Sequence, residues 1–350
     1  RSGADGASVE IPKPEEWPDG AGRPRFSPDG SKVVFEAGSP GQRTIWVATA
    51  DQPEPRRLDG LEGDNRHPTW DRTGRRVVYA SNRRGDDYDL YVQATGVAEA
   101  DRLTDLPGDE LHPSTNPLLF DLAEVSTVGG READFSSVEQ YEKVAFTRRR
   151  KGKEDSIWAV SAAVPNPEGK QREKHGGHTH RLSKKGSSCR APYWSADGQS
   201  VVYECGNTGQ RVVVEGTITW HREDESVSEL VDDPDIPPKG RRCLGSCTGS
   251  LPHDYIEVDT QMLSSPEADL HNPALSANQV VVLAEGEEGV VWRNRLEQGD
   301  WSSLELPRGA KDAVWAPNGK FVAFSQESDG VGRIGYQATD FYLQDVVNLN

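Results

Sequence analysis

One phrase of twelve residues returns along this 350-residue chain, and it constrains the fold more than any single residue does. Its clearest copies read Pro24-Arg-Phe-Ser-Pro-Asp-Gly-Ser-Lys-Val-Val-Phe35 and Pro192-Tyr-Trp-Ser-Ala-Asp-Gly-Gln-Ser-Val-Val-Tyr203. Close variants run from Pro68 to Tyr79 and from Ala313 to Phe324. Weaker ones start at Pro113, with the apolar run displaced to Val144-Ala-Phe146, and at Pro273, followed by Val280-Val-Val-Leu283. The first three prolines are 44 and 45 residues apart, and the last step, Pro273 to Ala313, is 40. Self-similarity at a fixed period of about 40–45 residues marks a radial array of small sheets.

Each part of the phrase has a mechanical reading. Phe26, Trp70, Trp194 and Trp315 end a short strand with a large apolar anchor. Ser-Pro-Asp-Gly at 27–30 supplies turn chemistry: proline presets φ, aspartate bonds its own backbone and glycine accepts positive φ. Val33-Val34-Phe35 is a short β-branched run that suits a strand buried on both faces. A third strand is expected at Ile45-Trp-Val47, Leu90-Tyr-Val92, Ile157-Trp158 and Val290-Val-Trp292. A fourth is expected at Arg57-Leu58, Arg102-Leu-Thr104, Arg181-Leu182, Leu304-Glu-Leu306 and Tyr342-Leu343. Four short antiparallel strands per period make one blade of a β-propeller. An evenly spaced β-sandwich is the rival, but it does not require the same residue order at fixed offsets. From Pro24, Pro68 and Pro192 the first valine always follows nine residues on.

Pro-x-Trp-Ser-Pro-Asp-Gly followed by Val-Val-Phe resembles the WD-like repeat of TolB-type propellers. The same repeat occurs in propeller domains of serine peptidases and in some polysaccharide lyases. The resemblance covers about residues 23–347 and, with the six anchors, implies a six-bladed all-β propeller with four antiparallel strands per blade. Residues 23–350 are expected to form it, with 1–22 as an extension. That extension either adds an outer strand through Ala7-Ser-Val-Glu-Ile11 or lies across a channel opening. About 100 residues beyond six periods are expected as insertions, at 118–140 and 164–179 in blade three and at 216–254 in blade four. The last holds Pro234, Pro237 and Pro238, which would stiffen it into a protruding, binding-competent loop.

A formal charge of −17 argues against a nucleic-acid partner, which needs a positive footprint. No run of apolar residues is long enough to span a membrane. The chain opens Arg-Ser-Gly-Ala-Asp, as a processed or trimmed product would, so the lack of a leader says nothing against export. Folding the fourth hairpin about Asp197 sets Cys189 opposite Cys205, where a cross-strand disulfide is geometrically possible. Cys243 and Cys247 can bridge within the blade-four insertion; a four-thiolate zinc site is the rival reading. Pairing favours an oxidising compartment, periplasmic or extracellular.

Three histidines stand near the start of innermost strands: His67 before Pro68, His112 before Pro113 and His271 two before Pro273. They are the candidate ligand- or partner-facing group at the channel mouth. His175, His178 and His180, in Lys174-His-Gly-Gly-His-Thr-His180, are weaker metal candidates. Gly330-Val-Gly332-Arg-Ile-Gly335 matches a dinucleotide fingerprint but opens no helix, and Gly245-Ser-Cys-Thr-Gly249 imitates a nucleophile elbow without its strand and helix. Asp86-Asp87, Asp232-Asp233, Arg148-Arg-Arg-Lys151 and Arg241-Arg242 read as solvated loop charge, the basic pairs being able to meet a partner's acidic patch.

With no convincing catalytic constellation, the expected function is a non-catalytic exported scaffold, without a cofactor, that binds another envelope or surface protein. A further expectation is a subunit built permanently into a larger complex, with the 216–254 loop as contact. The alternative is a polysaccharide-acting, lyase-like enzyme with a divalent metal held by histidines in the axial channel. Metal content and affinity capture, with and without residues 216–254, would separate the two.

Overall fold

The computed structural model describes residues 9–11, 20–49, 54–122, 139–163, 179–222, 254–276, 281–295, 300–317, 319–328 and 331–338. They form six four-stranded antiparallel sheets. Strand β1 (Val9–Glu10) precedes blade one, which holds β2 (Ala21–Phe26), β3 (Lys32–Ala37), β4 (Thr44–Thr49) and β5 (Arg56–Arg57). Blade two holds β6 (Asn65–Trp70), β7 (Arg76–Ser81), β8 (Asp89–Ala94) and β9 (Ala100–Arg102). Blade three is β10 (Asp109–Leu122), β11 (Glu139–Arg149), β12 (Ser156–Ala163) and β13 (Thr179–Arg181). Blade four is β14 (Cys189–Trp194), β15 (Ser200–Cys205), β16 (Val212–Arg222) and β17 (Asp254–Met262). Blade five is β18 (His271–Leu275), β19 (Val281–Gly286), β20 (Gly289–Asn294) and β21 (Ser302–Ser303). Blade six is β22 (Ala310–Trp315), β23 (Phe321–Ser328) and β24 (Val331–Ala338), with β1 as its outermost strand. Each innermost strand packs against the next, and β22 against β2, so the blades form a closed ring.

The turn chemistry works as its residues dictate. In blade one Ser27 N–H donates to Lys32 O (2.9 Å) and Gly30 N–H to Ser27 O (2.8 Å), with Gly30 at φ 73°. Asp29 accepts from the Ser27 hydroxyl (2.6 Å) and from Ser31 N–H (3.0 Å). Ser195 and Asp197 repeat this in blade four, and Asp71 fills the serine position in blade two, accepting from Arg75 N–H (3.0 Å) and Arg76 N–H (3.1 Å).

The valine-rich strands are apolar on both faces because each face meets a different blade. Val34 points with Ile45 toward Trp70 and Tyr79 of blade two, while Phe35 points with Trp46 toward Ile334 of blade six and Ile11. The same alternation fills the other interfaces, with Val78 and Leu90 against Phe146 and Trp158, and Ala145 and Ile157 against Trp194 and Tyr203. Val202 and Val213 meet Leu275 and Val282, and Leu283 and Val290 meet Trp315 and Phe324. The core is therefore a set of thin slabs between blades. The anchor Trp70 also donates its indole N–H across the first interface to Arg25 O (3.1 Å).

Three expectations meet a specific outcome. The fourth strand of blade six is β1, which pairs Val9 with Tyr336 and Glu10 with Gly335, where the repeat pattern pointed to Tyr342-Leu343; the latter lie outside the described residues. These two residues carry no repeat signature; they lie in Ala7-Ser-Val-Glu-Ile11, the segment for which an outer strand was one of the two expectations. Second, the insertions in blades three and four begin as extensions of paired strands: β10 with β11 to Leu122–Glu139, and β16 with β17 to Arg222–Asp254. Third, two glycines of the dinucleotide-like run, Gly332 and Gly335, serve close packing. Gly332 bridges Gly20, a methyl at Gly20 would overlap the Gly332 backbone, and one at Gly335 would press on the Phe324 ring. Among the described residues, no helix is long and apolar enough to cross a membrane.

Candidate functional site: the axial mouth

Every innermost strand makes the same irregular step. The pairing register shifts between Gly22 and Arg25, Arg66 and Thr69, Leu111 and Ser114, Arg190 and Tyr193, His271 and Ala274, and Lys311 and Val314. Inside each shift one residue takes left-handed backbone, with φ from 47° to 57°: Arg23, His67, His112, Ala191, Asn272 and Asp312. Such backbone costs a non-glycine residue about 1 kcal/mol and is tolerated best by Asn, Asp and His. These residues face the axis as one ring.

The strained backbone is held by side chains from the preceding blade. Glu36 accepts the His67 N–H (2.6 Å), Thr147 the Ala191 N–H (3.0 Å), Glu204 the Asn272 N–H (2.8 Å) and Glu285 the Asp312 N–H (2.7 Å). All four acceptors sit at the second-strand position facing the bulge. Ser325 holds this place in blade six and acts through Asp312: its hydroxyl donates to Asp312 Oδ2 (2.7 Å), which also accepts the Arg23 N–H (3.3 Å). Blade two offers only Ala80 there, and the His112 N–H donates instead to His67 Nδ1 (3.4 Å). That contact fixes His67 Nδ1 as unprotonated.

The rings of His67 and His112 lie 3.9 Å apart, tilted by 31°. Burial, the neighbouring imidazole and Arg23 push the His67 pKa well below its usual value; burial and Arg23 do the same to His112. Both are therefore neutral at physiological pH. Arg23 reaches over the axis to Asn272 Oδ1 (3.0 Å) and Asp312 Oδ1 (3.1 Å). Burial would lower the Arg23 pKa, but Asp312 and the glutamates around it raise it. Burial would likewise raise Asp312, yet Arg23 and the Ser325 hydroxyl hold it below the usual carboxylate range. Two residues further along the strand, Arg25 spans to blade four, its guanidinium 5.7 Å from the Tyr193 ring centre. The channel is thus crossed at two levels, and the cavity left is about 20 Å³, space for roughly one water.

Of the three histidines singled out by sequence, the structure brings His67 and His112 together. His271 lies one residue before the ring, where its Nε2 meets Glu285 Oε2 at 3.3 Å, and Asn272 takes the axial place. Burial would depress the His271 pKa, but the Glu285 carboxylate raises it. Arg23, Ala191, Asn272 and Asp312 were not found by the histidine search. Asking which residue precedes each repeat's proline, or Ala313, would have found all of them.

Cys189 and Cys205 are disulfide-bonded across β14 and β15. Cys243, Cys247, His175 and His178 lie outside the described residues, whereas His180 sits in β13 opposite Ala159. Among the described residues, no group of three or more His, Cys, Asp or Glu side chains is arranged to hold a metal ion.

No family model matches the chain. A relative from Bacillus subtilis (strain 168), the uncharacterized peptidase YuxL, is 24% identical over 202 residues, which is 53% of this chain and 29% of YuxL. The chain therefore matches less than a third of that relative's length. Among solved structures, a putative TolB from Agrobacterium tumefaciens aligns at TM-score 0.54 and 11% identity over 92% of this chain and 91% of its own. A gluconolactonase from Xanthomonas campestris aligns at 0.52 and 10% identity over 96% and 90%. A Mycobacterium tuberculosis puromycin-hydrolyzing peptidase aligns at 0.51 and 12% identity over 91% of this chain and 43% of its own. Likeness at this identity shows the propeller fold, shared by proteins of unlike function.

Proposed function

We propose that this propeller is a non-catalytic, exported scaffold of the TolB-like kind that presents its loop-built faces to another protein of the envelope or cell surface. The observation that carries this reading is the filled axis. Arg23 and Arg25 cross it, their polar atoms are met by Asp312, Asn272 and the Pro24 carbonyl, and about 20 Å³ remains. A pocket that encloses a drug-sized ligand measures roughly 300 Å³ or more. The lyase-like alternative would require the His67–His112 pair to hold a metal, but His67 Nδ1 accepts from the His112 backbone, so the neutral ring carries its proton on Nε2 and keeps no lone pair free for one. The Cys189–Cys205 bridge supports an oxidising compartment.

The test is a comparison of two assays on the purified chain. Polysaccharide substrates, with and without added divalent metal, should give no turnover, and cross-linking in an envelope fraction should recover one stoichiometric protein partner. Turnover abolished by His67→Ala or His112→Ala would overturn the scaffold reading, as would the absence of any cross-linked partner.

A further inference from the structure

The basic run Arg148-Arg-Arg-Lys151 stands out in a chain of net charge −17. The structure divides it. Arg148 is buried, lies over the Trp158 ring at 5.2 Å and donates to Pro107 O at 3.4 Å, so it belongs to the packing of blade three. Arg149 ends β11, and Arg150, Lys151 and Lys153 occupy the turn between β11 and β12, closed by Lys153 N–H donating to Arg150 O (3.1 Å). The connection from β13 to β14 brings in exposed Lys184 and Lys185, which no sequence run announces.

The two loops are fastened side by side. Ile157 N–H donates to Ser183 Oγ (3.0 Å) and Cys189 N–H to Asp155 O (2.8 Å). Asp155 also lies 3.2 Å from Arg149 and 3.9 Å from Arg190. The disulfide at Cys189 pins the end of the connection. Six cations thus share one edge of the ring with only Glu154 and Asp155 among the described carboxylates of these loops. Arg149 is paired with Asp155, the array keeps an excess of positive charge, and the rigid backbone beneath holds it in place for a ligand.

We infer that these paired loops of blades three and four are the docking surface for an acidic segment of a protein partner. The inference rests on the scaffold reading and gives that partner its chemistry. The shape of the field selects a short acidic segment over a long polyanion. Next to the basic edge, beyond Pro107, lies a cleft lined by Asp86, Asp87, Asp89 and Asp105 with Arg84 and Arg102. A nucleic acid, anionic polysaccharide or anionic bilayer carries one sign of charge well beyond the screening length of about 8–10 Å, and so meets repulsion there. A segment of a few acidic residues covers the basic loops alone.

The experiment uses a labelled peptide whose acidic part is about four Glu/Asp residues, read by fluorescence anisotropy at about 50 and 300 mM salt. Heparin, duplex DNA and anionic vesicles serve as competing probes. The variants are Lys151→Glu with Lys153→Glu, and Lys184→Glu with Lys185→Glu; Arg75→Glu, on a β6–β7 turn, is the control. All targeted lysines are exposed, so unchanged circular dichroism and melting are expected. Each double variant should lose roughly tenfold in peptide affinity, with weaker binding at high salt and no change for the control. Equal binding by wild type and both variants, no binding at all, or tighter binding of heparin, DNA or vesicles through the same lysines would overturn it. An envelope partner captured equally by wild type and both variants would also sink this inference while leaving the scaffold reading in place.

Discussion

Removing Arg23 probes the axis most directly. In Arg23→Ala the carboxylate of Asp312 loses its cation at 3.1 Å, and Asn272 Oδ1 loses a donor at 3.0 Å. Breaking a fully buried pair from one side costs about 3–5 kcal/mol. The side chains here retain 26% and 14% exposure, and the Ser325 hydroxyl still donates to Asp312, so roughly 2 kcal/mol is expected. The pH dependence carries a sign. In the wild type the folded Asp312 pKa lies below 3.8, so its contribution is present above that value and lost as pH falls through the folded pKa. Without Arg23, burial dominates and the Asp312 pKa rises. The variant then carries an expensive carboxylate at neutral pH and recovers part of the loss when acidification protonates it. Urea unfolding near pH 7 and near pH 5 should therefore show the gap between wild type and variant narrowing in acid. Adding Asp312→Ala should restore stability relative to the sum of the single changes, a coupling of about 1 kcal/mol or more. A cost below roughly 0.5 kcal/mol near pH 7, or additive single changes, would refute the view that this pair is a coupled buried unit.

Three further outcomes can be checked. Cys189→Ser should cost about 3 kcal/mol for a bridge of sequence separation 16, and reductant should lower the wild-type unfolding midpoint to match; equal midpoints with and without reductant would contradict this. Glu110 is fully buried, and burial beside Asp89 raises its pKa to about 9, so its stabilising proton is lost as pH climbs from about 4.5 toward 9; Glu110→Gln should flatten the stability–pH profile and be the more stable protein near pH 8. A chain starting at residue 20 loses β1 and the burial of Ile11 against Phe35 and Ile334, so unfolding should ease by at least about 2 kcal/mol and proteolysis should begin at β24.

The parts of the fold legible in the sequence are those whose physics is local. Val33, Val34 and Phe35 announce a doubly covered strand, Ser27 to Gly30 announce the turn that follows Phe26, and counting outward from Asp197 sets Cys189 against Cys205. The axial ring was only half legible. Its geometry depends on an extra residue in every innermost strand, which shifts the position facing the axis to the residue just before the proline. A search by residue type joined His271 to His67 and His112, whereas the bulge places Asn272 there. Three of the four acceptors, Glu36, Glu204 and Glu285, are glutamates and the fourth is Thr147; each directly follows its repeat's apolar run, and the strand register shows what they hold.

Both axial arginines, Arg23 and Arg25, come from blade one. Ring closure joins blade six to blade one where the chain passes from β1 to β2, and the joint is clamped at three radii. Near the axis, Arg23 binds Asp312 through both its guanidinium and its backbone N–H. Further out, Gly20 and Gly332 allow the backbones to touch, and at the rim β1 pairs with β24 while Ile334 packs on Phe35. The axial charges are thus part of the closure, and opening the channel for a ligand would loosen the seam. A propeller closed this way keeps its axis shut.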